Sequence, residues 1–145
     1  MTMPKHVFEI EIRTTPEALW QAITDPEFTH RYYHGTRVQS DWNVGSTYAY
    51  VADDGQNAIE GVVLEIDPPK RLVTTFSMMY RPDLAADRPS RVTWEIEPVG
   101  EICKLTVVHD DFDGETETFK TVGGGKRPIL ESMKALLETG VPLPL

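Results

Sequence analysis

The chain has 145 residues, 40% of them hydrophobic, which is the length of one domain and enough apolar material for one sizeable core rather than a disordered tail. Its 14 lysines and arginines against 23 aspartates and glutamates leave a formal charge of −9, which excludes the basic face that nucleic acid or an anionic membrane surface requires. One cysteine, Cys103, excludes an intrachain disulfide, and no run reaches the apolar length of a signal peptide or membrane span, so a single cytoplasmic domain over 1–145 is the expectation.

In chain order, "HVFEIEIR" alternates Phe8, Ile10 and Ile12 with Glu9, Glu11 and Arg13, the pattern of a half-buried strand. "TTPEALWQAIT" follows with Thr14 or Thr15 to cap, Pro16 in the first turn, and Leu19, Trp20 and Ile23 on one helical face. "DPEFTHRYYHG" restarts at Asp25-Pro26 and ends at Gly35, a second short helix. The period then changes to two. "TRVQSDW", "STYAYVAD", "AIEGVVLEID", "RLVTTFSMMY", "RVTWEIEPV" and "CKLTVVHDDF" read as six further strands separated by turn chemistry, hence an antiparallel meander. Ile129, Leu130, Met133, Leu136, Leu137 and Val141 form one helical stripe, closed by Gly140 and Pro142. The plan is α+β: a curved antiparallel sheet with one face packed on a long C-terminal helix.

"TVGGGKRP", residues 121–128, reads as a glycine loop leading into that helix. A phosphate loop would need Gly, four residues, then Gly-Lys-Ser/Thr; here Lys120 and Arg127 stand at the wrong places, and no strand precedes the glycines. The glycines are expected to let backbone pass close to the sheet or to bend the helix entrance. Lys126 and Arg127 read as solvated cations, one of them available to an acidic ligand group. His6, His30, His34 and His109 share no metal-ligand spacing, though His30 and His34 lie four apart. "DDFDGE" has calcium-loop composition without the distal glutamate. Cys103, inside a strand, reads as a buried inert thiol, and Glu60 as an outward carboxylate that would become an acid or base only if turned inward. Phe28, Tyr32, Tyr33, Tyr48, Tyr50, Phe76, Trp94 and Phe112 are core by default. A curved sheet closed by one helix leaves a concave side hard to fill, and aromatics lining such a gap favour an apolar ligand.

These elements and the stretches "TTPEALWQAITDPEFTHRYYHG", "SDWNVGSTYAY", "EGVVLEIDPPKRLVTTF", "PSRVTWEIEPVG", "LTVVHDDFDGE" and "ILESMKALLETGVPL" resemble the START-like, or SRPBCC, superfamily. More narrowly the chain looks like the bacterial homologues of the activator of the ninety-kilodalton heat-shock protein ATPase, C-terminal domain type. The resemblance covers about His6 to Pro142. It implies a helix-grip fold with a cavity between sheet and C-terminal helix, and it fixes no reaction. Many relatives have Gly-Gly-Trp-Pro where this chain has Gly124-Gly125-Lys126-Arg127, which makes the helix entrance more polar here. The expected function is binding of a small apolar or amphipathic molecule by a monomer or homodimer, with no cofactor and no metal. Expected lining residues are Phe28, Tyr32, Tyr33, Tyr48, Tyr50, Phe76, Met78, Trp94, Phe112, Met133 and Leu137, with His34, His109 and Lys126 as polar anchors near the cavity mouth. The alternatives are a cyclase, dehydratase or hydrolase using Glu60 or His109, and a co-chaperone that binds through its surface. "MMYRPDLAADRPSR" is expected to form a lid or a dimer contact.

Overall fold

The computed structural model describes residues 4–144. Strand β1 (His6–Ile12) is followed by helices α1 (Pro16–Thr24) and α2 (Pro26–Tyr32), then strands β2 (Arg37–Ser40), β3 (Thr47–Val51), β4 (Asn57–Asp67) and β5 (Arg71–Met78). A single helical turn, α3 (Pro82–Ala85), precedes β6 (Ser90–Val99) and β7 (Ile102–Asp110), and the chain closes with α4 (Glu117–Thr139). Thr15 caps α1, its hydroxyl accepting from the Ala18 amide at 3.1 Å. Asp25 ends α1 and starts α2, its carboxylate accepting from the Glu27 amide at 2.8 Å.

The seven strands form one antiparallel sheet in the order β1-β7-β6-β5-β4-β3-β2. Five sequence-consecutive strand pairs are antiparallel neighbours, four of them joined by short turns and β5–β6 by the segment that carries α3. The exception is β1, which pairs with β7, from His6 opposite His109 to Ile12 opposite Cys103. The two helices between β1 and β2 therefore carry the chain from one sheet edge to the other. Phe8, Ile10 and Ile12 turn inward together with Leu105 and Val107, and Leu19, Ala22 and Ile23 of α1 close one end of that core. Cys103 is fully buried, its thiol donating to the Thr14 carbonyl at 3.3 Å, and burial raises its pKa.

Helix α4 lies along β1, tied at four levels. His6 Nε2 donates to the Phe119 carbonyl at 2.8 Å, Arg127 to that of Glu9 at 3.3 Å, and Lys134 to that of Glu11 at 2.8 Å, while the Arg13 amide donates to Glu138 at 2.8 Å. Helix and strand run the same way. From Phe119 to Glu138 a helix rises about 28 Å, and from His6 to Arg13 a strand rises about 23 Å, so the two edges keep step.

The expected glycine loop does not exist. Gly123, Gly124 and Gly125 are inside α4, which starts at Glu117 and also contains Pro128. Three glycines and a proline have poor helix propensity, and tertiary ties override it. Thr116 caps the helix, its hydroxyl accepting from the Phe119 amide at 3.2 Å. Asp87 accepts from both the amide and the hydroxyl of Thr118, at 2.9 and 2.6 Å, and so places a carboxylate at the positive helix end. Asp87 belongs to the segment expected to form a lid or dimer contact; that segment is anchored, through Asp87 and the buried Leu84, to the start of α4. Among the described residues no helix is long and apolar enough to cross a membrane.

Candidate functional site

The strand pattern puts alternate residues of β3, β4 and β5 on the inner face: Tyr48 and Tyr50, Ile59 and Val63, Phe76 and Met78. Gly61 belongs to the same inner row. Any Cβ there would collide with the Thr75 carbonyl and the Tyr48 ring, so glycine is what lets Tyr48 lie across β4 and donate its hydroxyl to that carbonyl. Tyr33, at the C-terminal cap of α2, stacks on Tyr50 with ring centroids 4.3 Å apart. The aromatic wall thus comes from two elements packed on each other.

Between this wall and the first half of α4 is a cavity of about 420 Å³. Val122, Gly125, Lys126 and Ile129 form its helical side, Tyr33, His34 and Thr36 its end, and Ile59, Phe76, Met78 and Tyr80 its sheet side. Gly125 is part of the reason for the space, since a Cβ built there meets nothing within 4 Å. Gly123, two residues earlier, has the opposite reason for being glycine. Its Cβ would stand 2.9 Å from the His6 ring, which packs against the helix there.

Lys126 is the dominant charge-bearing group of the site. It was expected to be solvated at the mouth; it is 4% exposed and points inward, because the helical stripe through Val122 and Ile129 carries position 126 to the sheet side. Its Nζ lies 4.9 Å from the Trp94 ring centroid, 5.4 Å from that of Tyr33 and 5.5 Å from that of Phe76. Its hydrogen-bond partner is the Tyr33 hydroxyl at 3.4 Å. Among the described residues no carboxylate lines the cavity or the small gap of about 10 Å³ beside Trp94. Burial without a counter-charge pushes the lysine down to about 7. Burial also raises the pKa of Tyr33, so its hydroxyl stays protonated.

His109 is fully buried on β7, with its ring stacked on Phe112 at 4.9 Å and edge-on to Phe76 at 4.5 Å. Its Nε2 pairs with the Ser90 hydroxyl at 2.8 Å, and its Nδ1 has no partner among the described residues. Burial, reinforced by the nearby charges of Lys126 and His6, depresses its pKa and keeps the ring neutral. Ser90 and His109 resemble a nucleophile and its base, but Ser90 is 1% exposed, and neither residue is on the cavity wall.

Five of the expected residues line the cavity: Tyr33, His34, Phe76, Met78 and Lys126. The others lie elsewhere for identifiable reasons. Tyr32 turns into the core and donates to the Ala22 carbonyl at 2.7 Å, locking α2 on α1. Phe28 covers the core edge, and Phe112 fills the space between His109 and Phe119. Tyr48, Tyr50 and Trp94 pack beneath Lys126 around the small gap. Met133 and Leu137 belong to the half of α4 that packs against the core. The residues missed by sequence reasoning are the small ones, Thr36, Ala52, Ala58, Thr121 and Gly125, and four large ones, Ile59, Tyr80, Val122 and Ile129; the +4 spacing from Thr121 through Gly125 to Ile129 was the signal that a helix covered the space.

The alternative chemistry finds no assembled site. Glu60 points outward into a polar groove on the opposite sheet face and accepts from the Asn57 side chain at 3.1 Å. His30 and His34 do not share a helix, since α2 ends at Tyr32; His30 faces Asp53 at 3.3 Å. Asp110 and Asp111 pair with Arg91 and Arg88. Among the described residues no cluster of histidine, cysteine and carboxylate side chains is placed to hold a metal ion.

Residues 13–138 match the family described as Activator of Hsp90 ATPase homolog 1-like protein. Among curated proteins, none matches. Similar solved structures include a protein from Mesorhizobium loti, 24% identical, with 92% of this chain and 96% of that one covered and a TM-score of 0.77. An HSP90 activator from Plasmodium falciparum is 24% identical over 94% of this chain and 96% of its own, with a TM-score of 0.76. The Aha1 dimer from Colwellia psychrerythraea is 19% identical over 95% and 98%, with a TM-score of 0.76. At these identities the likeness is one of fold.

Proposed function

The chain belongs to the family of Activator of Hsp90 ATPase homolog 1-like proteins, and we propose that it binds one small, mostly apolar molecule per chain between the sheet and the first half of α4. The observation that carries this reading is the cavity of about 420 Å³, of drug-ligand size, walled by Tyr33, Phe76, Met78, Val122 and Ile129, with a single buried amine on its wall. Apolar walls supply affinity by removing ligand surface from water, and Lys126 with the Tyr33 hydroxyl supplies the polar feature that orients it. Ligand identity is then set by length, width and one polar group.

N-phenyl-1-naphthylamine, a neutral dye that fluoresces in apolar surroundings, tests the proposal. Wild-type protein is expected to bind it saturably at one site per chain, and Gly125→Leu to lose it while remaining folded. Equal binding by both proteins, or none by the wild type, contradicts the reading.

A second reading follows from the relatives described as activators of HSP90: docking on a chaperone through the outer surface. Recovery of a chaperone on immobilised protein, undiminished by Gly125→Leu, would favour it over the cavity.

A further inference from the structure

We propose that Lys126 captures carbonyl ligands covalently and reversibly: its side-chain amine, enclosed by Trp94, Phe76 and Tyr33 on the cavity wall, forms a Schiff base with an aldehyde or ketone carried on an apolar body. The proposal rests on the ligand-cavity reading above and assigns that site its reactive group.

Three features of the geometry point the same way. First, the amine is sealed from bulk water yet open to the cavity: Lys126 is 4% exposed and lines both the 420 Å³ space and the gap beside Trp94. Second, nothing around it neutralises an ammonium. The titratable groups facing it are Tyr33 and His34 at the end of α2, Tyr48 and Tyr50 on β3, Tyr80 after β5 and His109 on β7; none is a carboxylate. Lys126 takes part in no ion pair among the described residues, whereas Lys104, Lys120 and Lys134 each face a glutamate. A buried amine in these surroundings gives up its proton more readily than an exposed lysine, so the neutral, nucleophilic form is present at pH 7, in keeping with its lowered pKa of about 7. Third, a hydroxyl stands where the reaction needs one. Tyr33 Oη is 3.4 Å from Nζ, within the same apolar enclosure, and burial keeps it protonated.

The step balances without any further reagent. The lone pair of Nζ attacks the carbonyl carbon, a C–N bond forms, and the carbonyl π pair moves to oxygen. That oxygen takes a proton relayed from nitrogen through the Tyr33 hydroxyl, which donates one proton and accepts another, and gives a carbinolamine. The nitrogen lone pair then expels the hydroxyl, which leaves as water with the remaining N–H proton, and the C=N bond remains. Hydrolysis runs the same steps backward. An acidic ligand would instead draw on the ammonium form of the same group, so aldehyde and acid call on Nζ in opposite protonation states.

Decanal and decanoate, which share an apolar tail and differ in the head group, separate the possibilities. Wild-type protein at pH 7 is incubated with decanal and sodium cyanoborohydride, which reduces the imine and makes the adduct permanent, and modified residues are mapped by mass spectrometry. The first adduct is expected at Lys126, at least about tenfold faster than at Lys5, Lys70, Lys104, Lys120 or Lys134, since an ordinary lysine is almost wholly protonated at that pH. Lys126→Met is expected to lose that adduct and to unfold at no lower temperature than wild type, and excess N-phenyl-1-naphthylamine to protect wild-type Lys126. Unmodified Lys126 in protein that binds the dye overturns the carbonyl proposal and leaves the cavity reading standing. Displacement of the dye by decanoate and not by decanal overturns it in favour of an acidic ligand. Failure of the wild type to bind the dye removes the cavity reading and this proposal together.

Discussion

The two halves of α4 are one continuous helix built on opposite principles. The second half, from Leu130 to Thr139, is made mostly of good helix formers and is filled in: Leu130, Met133 and Leu136 are buried, and the Ser132 hydroxyl holds the returning tail at the Leu143 carbonyl. The first half carries Gly123, Gly124, Gly125 and the approach to Pro128, all poor helix formers, and it encloses space and an amine. It stays helical because outside groups hold it: Asp87 at its start, the His6 ring against Gly123, and Arg127 on the Glu9 carbonyl. In this fold a helix that packs fully on the core supplies stability, and a helix tied at its edges leaves room for a ligand.

Substitutions that treat the two halves alike should give unlike results. The largest effect is expected from Met133→Ala, which removes a fully buried side chain from the packed half; a loss of about 2–5 kcal/mol in denaturant unfolding is the expected outcome. A loss below about 1 kcal/mol would mean that this half also has slack.

Lys126→Met should do the reverse. Unfolded, the lysine has its ordinary affinity for protons; folded, burial lowers it to about 7. Between pH 7 and roughly 10.4 the unfolded chain therefore holds more protons, so wild-type stability rises with pH across that window and is lowest, as far as this group decides it, at and below pH 7. Methionine removes the cost of the buried charge. The variant is expected to be more stable than wild type by on the order of 1–3 kcal/mol at pH 6, with the gap closing by pH 10, as followed by urea unfolding at pH 6, 8 and 10. A gap independent of pH would show that packing, not charge, separates the two proteins.

The glycines give the smallest and sharpest contrast. Gly124 is exposed, with nothing within 4 Å of an added Cβ, so Gly124→Ala should stabilise the helix by about 0.5–1 kcal/mol. Gly123→Ala gains the same propensity but drives its methyl against the His6 ring, so the gain should vanish or reverse. Equal thermal shifts for the two would show that the His6 ring gives way freely.

The sequence made the order of strands and helices legible because period-two alternation and the caps at Thr15, Asp25 and Gly140 are local signals. The start of α4 was hidden because its propensity is poor and its supports, Asp87 and His6, are distant in sequence. Lys126 was misplaced for the same reason: a loop cation is solvated, whereas the same residue one turn from Val122 and Ile129 on a helix is directed into the core. Phe76 and Met78 could be placed on the cavity from their apolar character and strand position, and Tyr33 from its place at the end of the second short helix. Phe28, Tyr32, Phe112 and Met133 have the same composition but pack elsewhere, and only the crossing of distant elements separates the two groups.

The account stands most directly on where a neutral apolar probe goes. Two-dimensional ¹H–¹⁵N spectra of the labelled protein, recorded during titration with N-phenyl-1-naphthylamine, would show it. Saturable shifts are expected at Thr121 to Ile129, at Tyr33 to Thr36, and at Ile59, Phe76, Met78 and Tyr80, with Met133 to Thr139 unmoved. Shifts centred on the second half of α4 or on the outer groove around Glu60, or no saturable shifts at all, would contradict the claim that the first half of α4 walls the binding site.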